Sequence, residues 1–221
     1  MINTLFFDLD GTLLDTAPDL ANALNTLLTE QQHPILPFEQ IRPVVSHGGK
    51  GLLKLGFNMD ESHPRYESLR ERLLAIYAAT IADQTTLFDG MSEVLDFVET
   101  ANMTWGIITN KPAWLTEPLL KKINLFDRSA CVISGDSLKQ SKPHPAPIFH
   151  AMKLCHREVH ECVYIGDAER DIQAGQSAGM MTVAASYGYI PSDENVYAWN
   201  ADMIIDKPVD ILDWLKSNTT S

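Results

Sequence analysis

The chain has 221 residues, 45% hydrophobic and 21% charged, so it is long enough for one large domain, or for a domain carrying a smaller inserted one, and is ordinary in composition for a globular protein. Seventeen Lys and Arg against 29 Asp and Glu give a net charge of −12, which argues against nucleic acid and anionic membrane as partners, because both reward basic surfaces. No apolar run approaches the roughly 18 residues of a membrane span, while a locally cationic site for a small anion stays compatible with an acidic surface.

The first segment, LFFDLDGTLLD (5–15), goes straight into a strand expected over 4–10. No basic leader or cleavage site precedes it, so no secretory signal is expected and the chain is assigned to the cytoplasm. Leu5, Phe6 and Phe7 read as the middle of a buried strand, yet Asp8 and Asp10 follow two apart, on one face, with Gly11 directly after. Residues 16–82 contain no convincing strand and read as helices. Leu20, Leu24, Leu27 and Leu28 form one stripe, with Thr16 placed as N-cap ahead of Pro18 and Asp19. Tyr66, Leu69, Leu73, Ile76 and Tyr77 form a second stripe. Between them, SHGGKGLLKLGF (46–57) has Gly48, Gly49 and Gly51, which break the helical pattern. From Asp89 on the pattern alternates: helix 91–101, strand 105–110, helix 113–122, strand 131–135, helix 146–156, strand 162–167, helix 169–179, strand 181–186, strand 202–206 and helix 208–216. Short β-branched runs alternating with helices predict an α/β fold, a parallel sheet with helices on both faces. The core is then 1–15 with 83–221, the helical segment 16–82 is an insertion, and the tail SNTTS (217–221) is expected to fray. Cys131, Cys155 and Cys162 are odd in number and form no CxxC, which fits reduced, buried thiols.

In such a sheet, ligands bind outside the carboxyl ends of the strands, and the unusual residues collect there. Strand 4–10 ends in Asp8-Leu9-Asp10-Gly11-Thr12, strand 105–110 in Thr109-Asn110, and strand 162–167 in Gly166-Asp167, with Asp171 four residues on; Lys142 lies in the loop after strand 131–135. Like-charged carboxylates at close range are tolerated when a cation sits between them. Oxygen ligands without Cys or a His cluster suit a hard cation, and Mg²⁺ is the one expected. Asp8, Asp10, Asp167 and Asp171 are its candidate ligands, Asp171 also being placed to support Lys142. A carboxylate can attack phosphorus and form an aspartyl phosphate, which makes Asp8 the candidate nucleophile. Asp10 is placed to protonate the leaving alkoxide and later to activate water. Thr109 can donate to a phosphoryl oxygen, and Lys142 can neutralise charge in the transition state. Gly11 lets the turn curl its amides towards a phosphate, and Thr12 and Asn110 join it as candidate substrate-binding residues.

Each element also has a bland reading. Asp-x-Asp-Gly could be a turn, Thr109-Asn110 turn chemistry, Lys142 a surface lysine, and Asp167 with Asp171 a favourable charge pair at a helix N-terminus. All four together, each at the end of a different expected strand, are hard to explain that way. Asp8-x-Asp10-Gly11-Thr12, Thr109-Asn110, Lys142-Pro143 and Gly166-Asp167-x-x-x-Asp171 resemble the four motifs of the haloacid dehalogenase superfamily in its phosphatase branch. Within it, WGIITNKP, SKPHPAP, IGDAERDI and YGY are similar to phosphoglycolate phosphatases. LFDGM, TNKP and YGYI followed by a Trp and AD look closer to N-acetylmuramic acid 6-phosphate phosphatases. The resemblance implies a Rossmann-like core, a helical cap over 16–82, and hydrolysis of a small phosphorylated metabolite by a monomer or homodimer.

Other members of that superfamily stay open as alternatives. Asp10 argues against a dehalogenase, which lacks the second aspartate, and Leu20 stands where the β-phosphoglucomutase branch carries a cap histidine. A phosphonatase would need a cap lysine, for which Lys50 and Lys54 are the two available in 16–82; a non-catalytic binding module is the remaining reading. The cap must supply specificity, because the core sees only the phosphate. His47, Gly48, Gly49 and Lys50 are its candidate substrate-binding residues: the glycines let backbone approach a ligand, and the two cations could meet a carboxylate. The same stretch also reads as a helix–helix turn with solvated polar residues.

Overall fold

The computed structural model describes residues 1–219, with side chains described as far as residue 216. Strand β1 (Thr4–Phe7) is followed by the short strand β2 (Leu14–Asp15), then by helices α1 (Ala17–Glu30) and α2 (Phe38–Ile41), a 3-10 helix over Arg42–His47, and helices α3 (Gly48–Phe57) and α4 (Tyr66–Ala79). The chain returns through β3 (Thr86–Leu87) and then alternates: α5 (Met91–Thr100), β4 (Thr104–Ile108), α6 (Ala113–Lys122), β5 (Val132–Ile133), α7 (Ala146–Cys155), β6 (Cys162–Gly166), α8 (Glu169–Ser177), β7 (Met181–Ala185), β8 (Met203–Ile205) and α9 (Asp210–Thr219). Six strands form one parallel sheet in the order β5-β4-β1-β6-β7-β8. With helices on its faces and an all-helical cap inserted after β2, this is the expected architecture.

The unbroken apolar run of β1 follows from its place at the middle of the sheet. Leu5 and Phe7 join the larger buried cluster with Ile107, Val163 and Ile165. Phe6, pointing the other way, joins Ile108, Ile148 and Tyr164. The strand order reverses at β1, with β4 and β5 on one side and β6, β7 and β8 on the other. A crevice therefore opens beyond its carboxyl end.

The main strands are shorter than expected. β1 stops at Phe7 because the Leu9 carbonyl accepts from the N–H groups of Thr12, Leu13 and Leu14, while Gly11, at φ +91°, turns the chain back. Only Val132 and Ile133 of 131–135 pair as a strand. At the other end α9 continues through Thr219, so fraying is not seen over 217–219, and residues 220–221 lie outside the described residues.

Two local expectations are corrected. Gly48, Gly49 and Gly51 do not interrupt a helix; they form the first turn of α3. A Cβ on Gly51 would stand 2.6 Å from His47 Cβ and 2.8 Å from the Val44 carbonyl oxygen, so the glycine lets the 3-10 helix fold against α3. Thr16 occupies the N-cap position of α1 without capping it. Its hydroxyl donates to Asp10 Oδ1 at 2.6 Å instead, and the Ala17 N–H donates to the Tyr189 hydroxyl.

Strands β2 and β3, each two residues long and below the reach of periodicity, pair antiparallel and bring the two ends of the insertion together. Asp19 secures this junction. Buried in the first turn of α1, its carboxylate accepts from the Gln84 and Thr85 N–H groups and from the Thr85 hydroxyl, at 3.0, 3.0 and 2.6 Å. Asp19→Ala would leave three donors without an acceptor and is expected to cost about 2–4 kcal/mol. Urea unfolding followed by circular dichroism reads this as a lower midpoint; an unchanged midpoint would remove the role.

Candidate active site

Asp8 follows β1 directly, with its N–H bound to the Ile165 carbonyl, so its carboxylate projects into the crevice from a fixed backbone. Its Oδ1 accepts the Leu9 N–H at 2.7 Å and meets Lys142 Nζ at 2.8 Å. Lys142 is not a surface lysine. Its ammonium is fully enclosed and touches four oxygens: Asp8 Oδ1, Asp171 Oδ1 at 2.7 Å, the Ile108 carbonyl at 2.9 Å and the Tyr164 hydroxyl at 2.7 Å. The Asn110 amide clamps the lysine's backbone, donating to its carbonyl at 2.9 Å and accepting its N–H at 3.1 Å. One N–H and one oxygen lone pair of the Asn110 amide are thus engaged with the protein, and the residue also lines the cavity.

Asp167 and Asp171 come from the end of β6 and the first turn of α8. Asp171 Oδ2 accepts the Ala168 N–H, and Oδ1 faces Lys142. Asp167 accepts from the Thr12 hydroxyl on Oδ1, and from the Ser46 hydroxyl and the Tyr189 N–H on Oδ2. Thr12 is therefore an Asp167 partner. Gly11 is required by contact: a Cβ there would stand 2.1 Å from Asp167 Oδ2.

Asp8, Asp167 and Asp171 each place a carboxylate oxygen within 4.8 Å of the others, all three buried. Burial, then the charges of Asp8 and Asp171, push the Asp167 carboxyl up to about 7, and burial raises Asp171 as well. Three clustered carboxylates holding surplus negative charge, with an all-oxygen donor set, fit a hard divalent cation such as Mg²⁺. Asp10 stands outside this trio. Its Oδ1 accepts from the Thr16 hydroxyl, and Lys111 Nζ lies 3.0 and 3.3 Å from its two oxygens. Burial works against the Lys111 charge, yet the Asp10 carboxylate and Tyr77 together outweigh it and raise the lysine's pKa. Thr109 is buried at the cavity wall, its hydroxyl oxygen accepting the Lys111 N–H, which leaves the hydroxyl hydrogen to donate.

The crevice opens into a cavity of about 560 Å³ that reaches from Asp8 and Asp10 to the cap. His47, Gly48, Gly49 and Lys50 all line it, as do Lys54 and Arg70. Lys50 is exposed and ion-paired with Glu61 at 3.2 Å. Sequence reasoning missed Lys111, Ser46 and Arg170. Lys111 directly follows Thr109-Asn110 and Arg170 sits between Asp167 and Asp171, so adjacency was their signal. Ser46 had none; it reaches Asp167 from the cap, while Arg170 donates to the Ser46 carbonyl at 2.9 Å.

Residues 5–185 match the family model described as haloacid dehalogenase-like hydrolase. The chain is 41% identical over 204 residues to a phosphoglycolate phosphatase of Xanthomonas campestris pv. campestris, covering 92% of each chain. It is 38% identical over 210 residues to an N-acetylmuramic acid 6-phosphate phosphatase of Pseudomonas putida, covering 95% of this chain and 94% of the other. Its fold superposes with a TM-score of 0.85, at 24% identity, on a crystal structure described as a predicted phosphoglycolate phosphatase from Haemophilus somnus, covering 97% and 98% of the two chains. The chain belongs to the haloacid dehalogenase-like hydrolase family, and within it to the phosphatases, the enzymes that hydrolyse phosphoric monoesters.

A carboxyl must lose its proton before it binds a cation. With Asp167 near 7, Mg²⁺ is expected to raise the thermal unfolding midpoint more at a pH of about 8 than at about 6. Equal shifts at both, or none at either, would count against Asp167 as a ligand.

Proposed function

We propose that the protein is a Mg²⁺-dependent, cytoplasmic phosphatase that cleaves a small carboxylate-bearing phosphate monoester through an aspartyl phosphate on Asp8. The observation that carries this is the division of labour on Asp8: the Leu9 N–H and Lys142 both hold Oδ1, which leaves Oδ2 to attack. Oδ2 forms the bond to phosphorus as the ester P–O bond breaks, and the leaving oxygen takes a proton from the Asp10 carboxyl. Water then attacks the same phosphorus and gives its proton to the Asp10 carboxylate, releasing inorganic phosphate and restoring Asp8. Thr16 and Lys111 fix the direction of the Asp10 carboxylate. Thr109 donates to a phosphoryl oxygen, and Lys142 offsets charge that builds up on Asp8 and the phosphoryl group. Asp8 and Asp167 would hold Mg²⁺, with Asp10 and Asp171 beside them, and the ion would neutralise charge on the transferring phosphoryl oxygens.

Substrate selection falls to the cap, residues 16–82, closing on the core, 1–15 and 83–221. His47, Lys50, Lys54 and Arg70 give the cap side of the cavity a cationic character, which suits an alcohol carrying a carboxylate. Phosphoglycolate and N-acetylmuramate 6-phosphate, named for the two relatives, each have one. The mutase alternative gains no residue here, because Leu20 lines the wall where its histidine would stand; of the two lysines a phosphonatase could use, both line the cavity and Lys50 is paired with Glu61.

Two measurements test this. Asp8→Asn keeps the shape and removes the nucleophile, so turnover is expected to fall by about 10⁴-fold or more with circular dichroism unchanged; a folded variant retaining a tenth of the activity would exclude the covalent route. Lys50→Ala is expected to lower kcat/KM for the carboxylated substrate about tenfold relative to its effect on para-nitrophenyl phosphate. Equal losses on both substrates would show that Lys50 does not read the carboxylate.

A further inference from the structure

Tyr77 lies near the end of α4 with its side chain fully buried, yet its hydroxyl has no hydrogen-bond partner. As the sequence expects, it belongs to the buried core cluster, and it also lines the cavity with Leu20 and Leu74. Lys111 Nζ stands over the ring face, 4.5 Å from its centroid. A buried hydroxyl with nothing to bond is costly and rare, and it sits here against the space that a substrate enters.

Lys111 stands beside that hydroxyl. An ammonium carries three hydrogens, and the contacts at 3.0 and 3.3 Å to the two Asp10 oxygens occupy two. The third is left to face Tyr77, whose ring and hydroxyl help to keep the lysine charged, and both residues line the cavity. An oxygen bound to the ammonium lies within two hydrogen-bond lengths, about 6 Å, of Asp10, whose carboxyl form protonates the leaving oxygen. A hydroxyl and an ammonium therefore stand together on the cavity wall close to the scissile bond.

We infer that Tyr77 and Lys111 form a specificity subsite for an oxygen carried on the carbon next to the substrate's ester carbon. The inference rests on the phosphatase reading above and names the part of the alcohol that the enzyme inspects. In 2-phosphoglycolate that oxygen belongs to the carboxylate; in N-acetylmuramate 6-phosphate it is the ring oxygen. Ethyl phosphate has none. Tyr77 comes from the cap and Lys111 from the loop after β4, so the subsite is whole only with the cap seated, and an alcohol lacking the oxygen leaves the Tyr77 hydroxyl donor unpaired. That is the condition under which a site rejects an analogue strongly.

Tyr77→Phe removes the hydroxyl and keeps the ring under Lys111. The full-length enzyme with Mg²⁺ is assayed on 2-phosphoglycolate, N-acetylmuramate 6-phosphate and ethyl phosphate, beside wild type. The wild-type preference over ethyl phosphate, as a ratio of kcat/KM, is expected to shrink about fivefold or more in the variant, mainly through KM. The thermal midpoint is expected not to fall, because a hydroxyl without a partner gives the fold nothing. A larger loss on 2-phosphoglycolate assigns the anionic oxygen, and a larger loss on N-acetylmuramate 6-phosphate the ring oxygen; either supports the subsite. A wild-type preference kept intact in the variant overturns the subsite and leaves the phosphatase reading standing, as does an equal loss on all three substrates with a lowered midpoint. Wild type that cleaves all three equally well overturns the subsite and the carboxylate-bearing substrate class, and wild type that cleaves none overturns the phosphatase reading as well.

Discussion

Lys142 ties together the polar groups at the ends of neighbouring elements of the core. Its ammonium contacts the carboxylate at the end of β1, the last carbonyl of β4, a hydroxyl in the middle of β6 and the carboxylate in the first turn of α8. Stripping water from a charge costs several kcal/mol, and this site buries Asp8, Asp171 and Lys142 side by side. The arrangement holds because the attractions are direct: contacts of 2.7 and 2.8 Å to two carboxylates, and two further acceptors for the remaining donor capacity. The same geometry pins one oxygen of Asp8 and leaves the other, so the interaction that makes the buried charges tolerable also fixes which oxygen stays open to the crevice.

Around that centre the excess charge is negative. Asp167 has no lysine of its own; its partners are two hydroxyls and one N–H. Burial, and then the charges of Asp8 and Asp171, push its carboxyl up to about 7. A site balanced in this way is set to exchange a proton for a cation. One of the two hydroxyls belongs to Ser46 of the cap, which ties the cap to the acidic cluster directly. Two further polar links across the same seam, Arg170 to the Ser46 carbonyl and Arg42 to the Gly188 carbonyl, are also single hydrogen bonds. Bonds of that kind are exchanged for water at modest net cost, as a lid that opens and closes over a substrate requires. The firmer attachment is at the hinge, where Asp19 binds the returning strand and Phe88 packs edge-on to Tyr187.

Much of this was legible in the chain. The alternation after residue 89 gave a parallel sheet, because β-branched runs buried on both faces leave few other arrangements. The position of Asp8, Thr109, Lys142 and Asp167 at strand ends gave the site, because a parallel sheet collects its carboxyl ends along one edge. The errors have a common source. Thr16 has the chemistry of a cap and spends it on Asp10; Gly48 to Gly51 look like a break and form a helical turn; Asn110 looks like a ligand group and holds a lysine backbone. In each case the residue type was read correctly and its partner was not.

By itself, then, the sequence determined the six strands of the main sheet and most of the helices, and which charged residues gather at the sheet edge. Periodicity records which face of an element is buried, and motif spacing records order along the chain. Neither records what lies opposite. Only the tertiary structure decided that Lys111 belongs to Asp10, that Ser46 reaches Asp167 across 121 residues of chain, and that the buried Tyr77 hydroxyl is left without a hydrogen-bond partner in a residue of the cavity wall. Those are contacts between distant segments, set by how the cap sits on the sheet, and no local pattern in the residues carries that information.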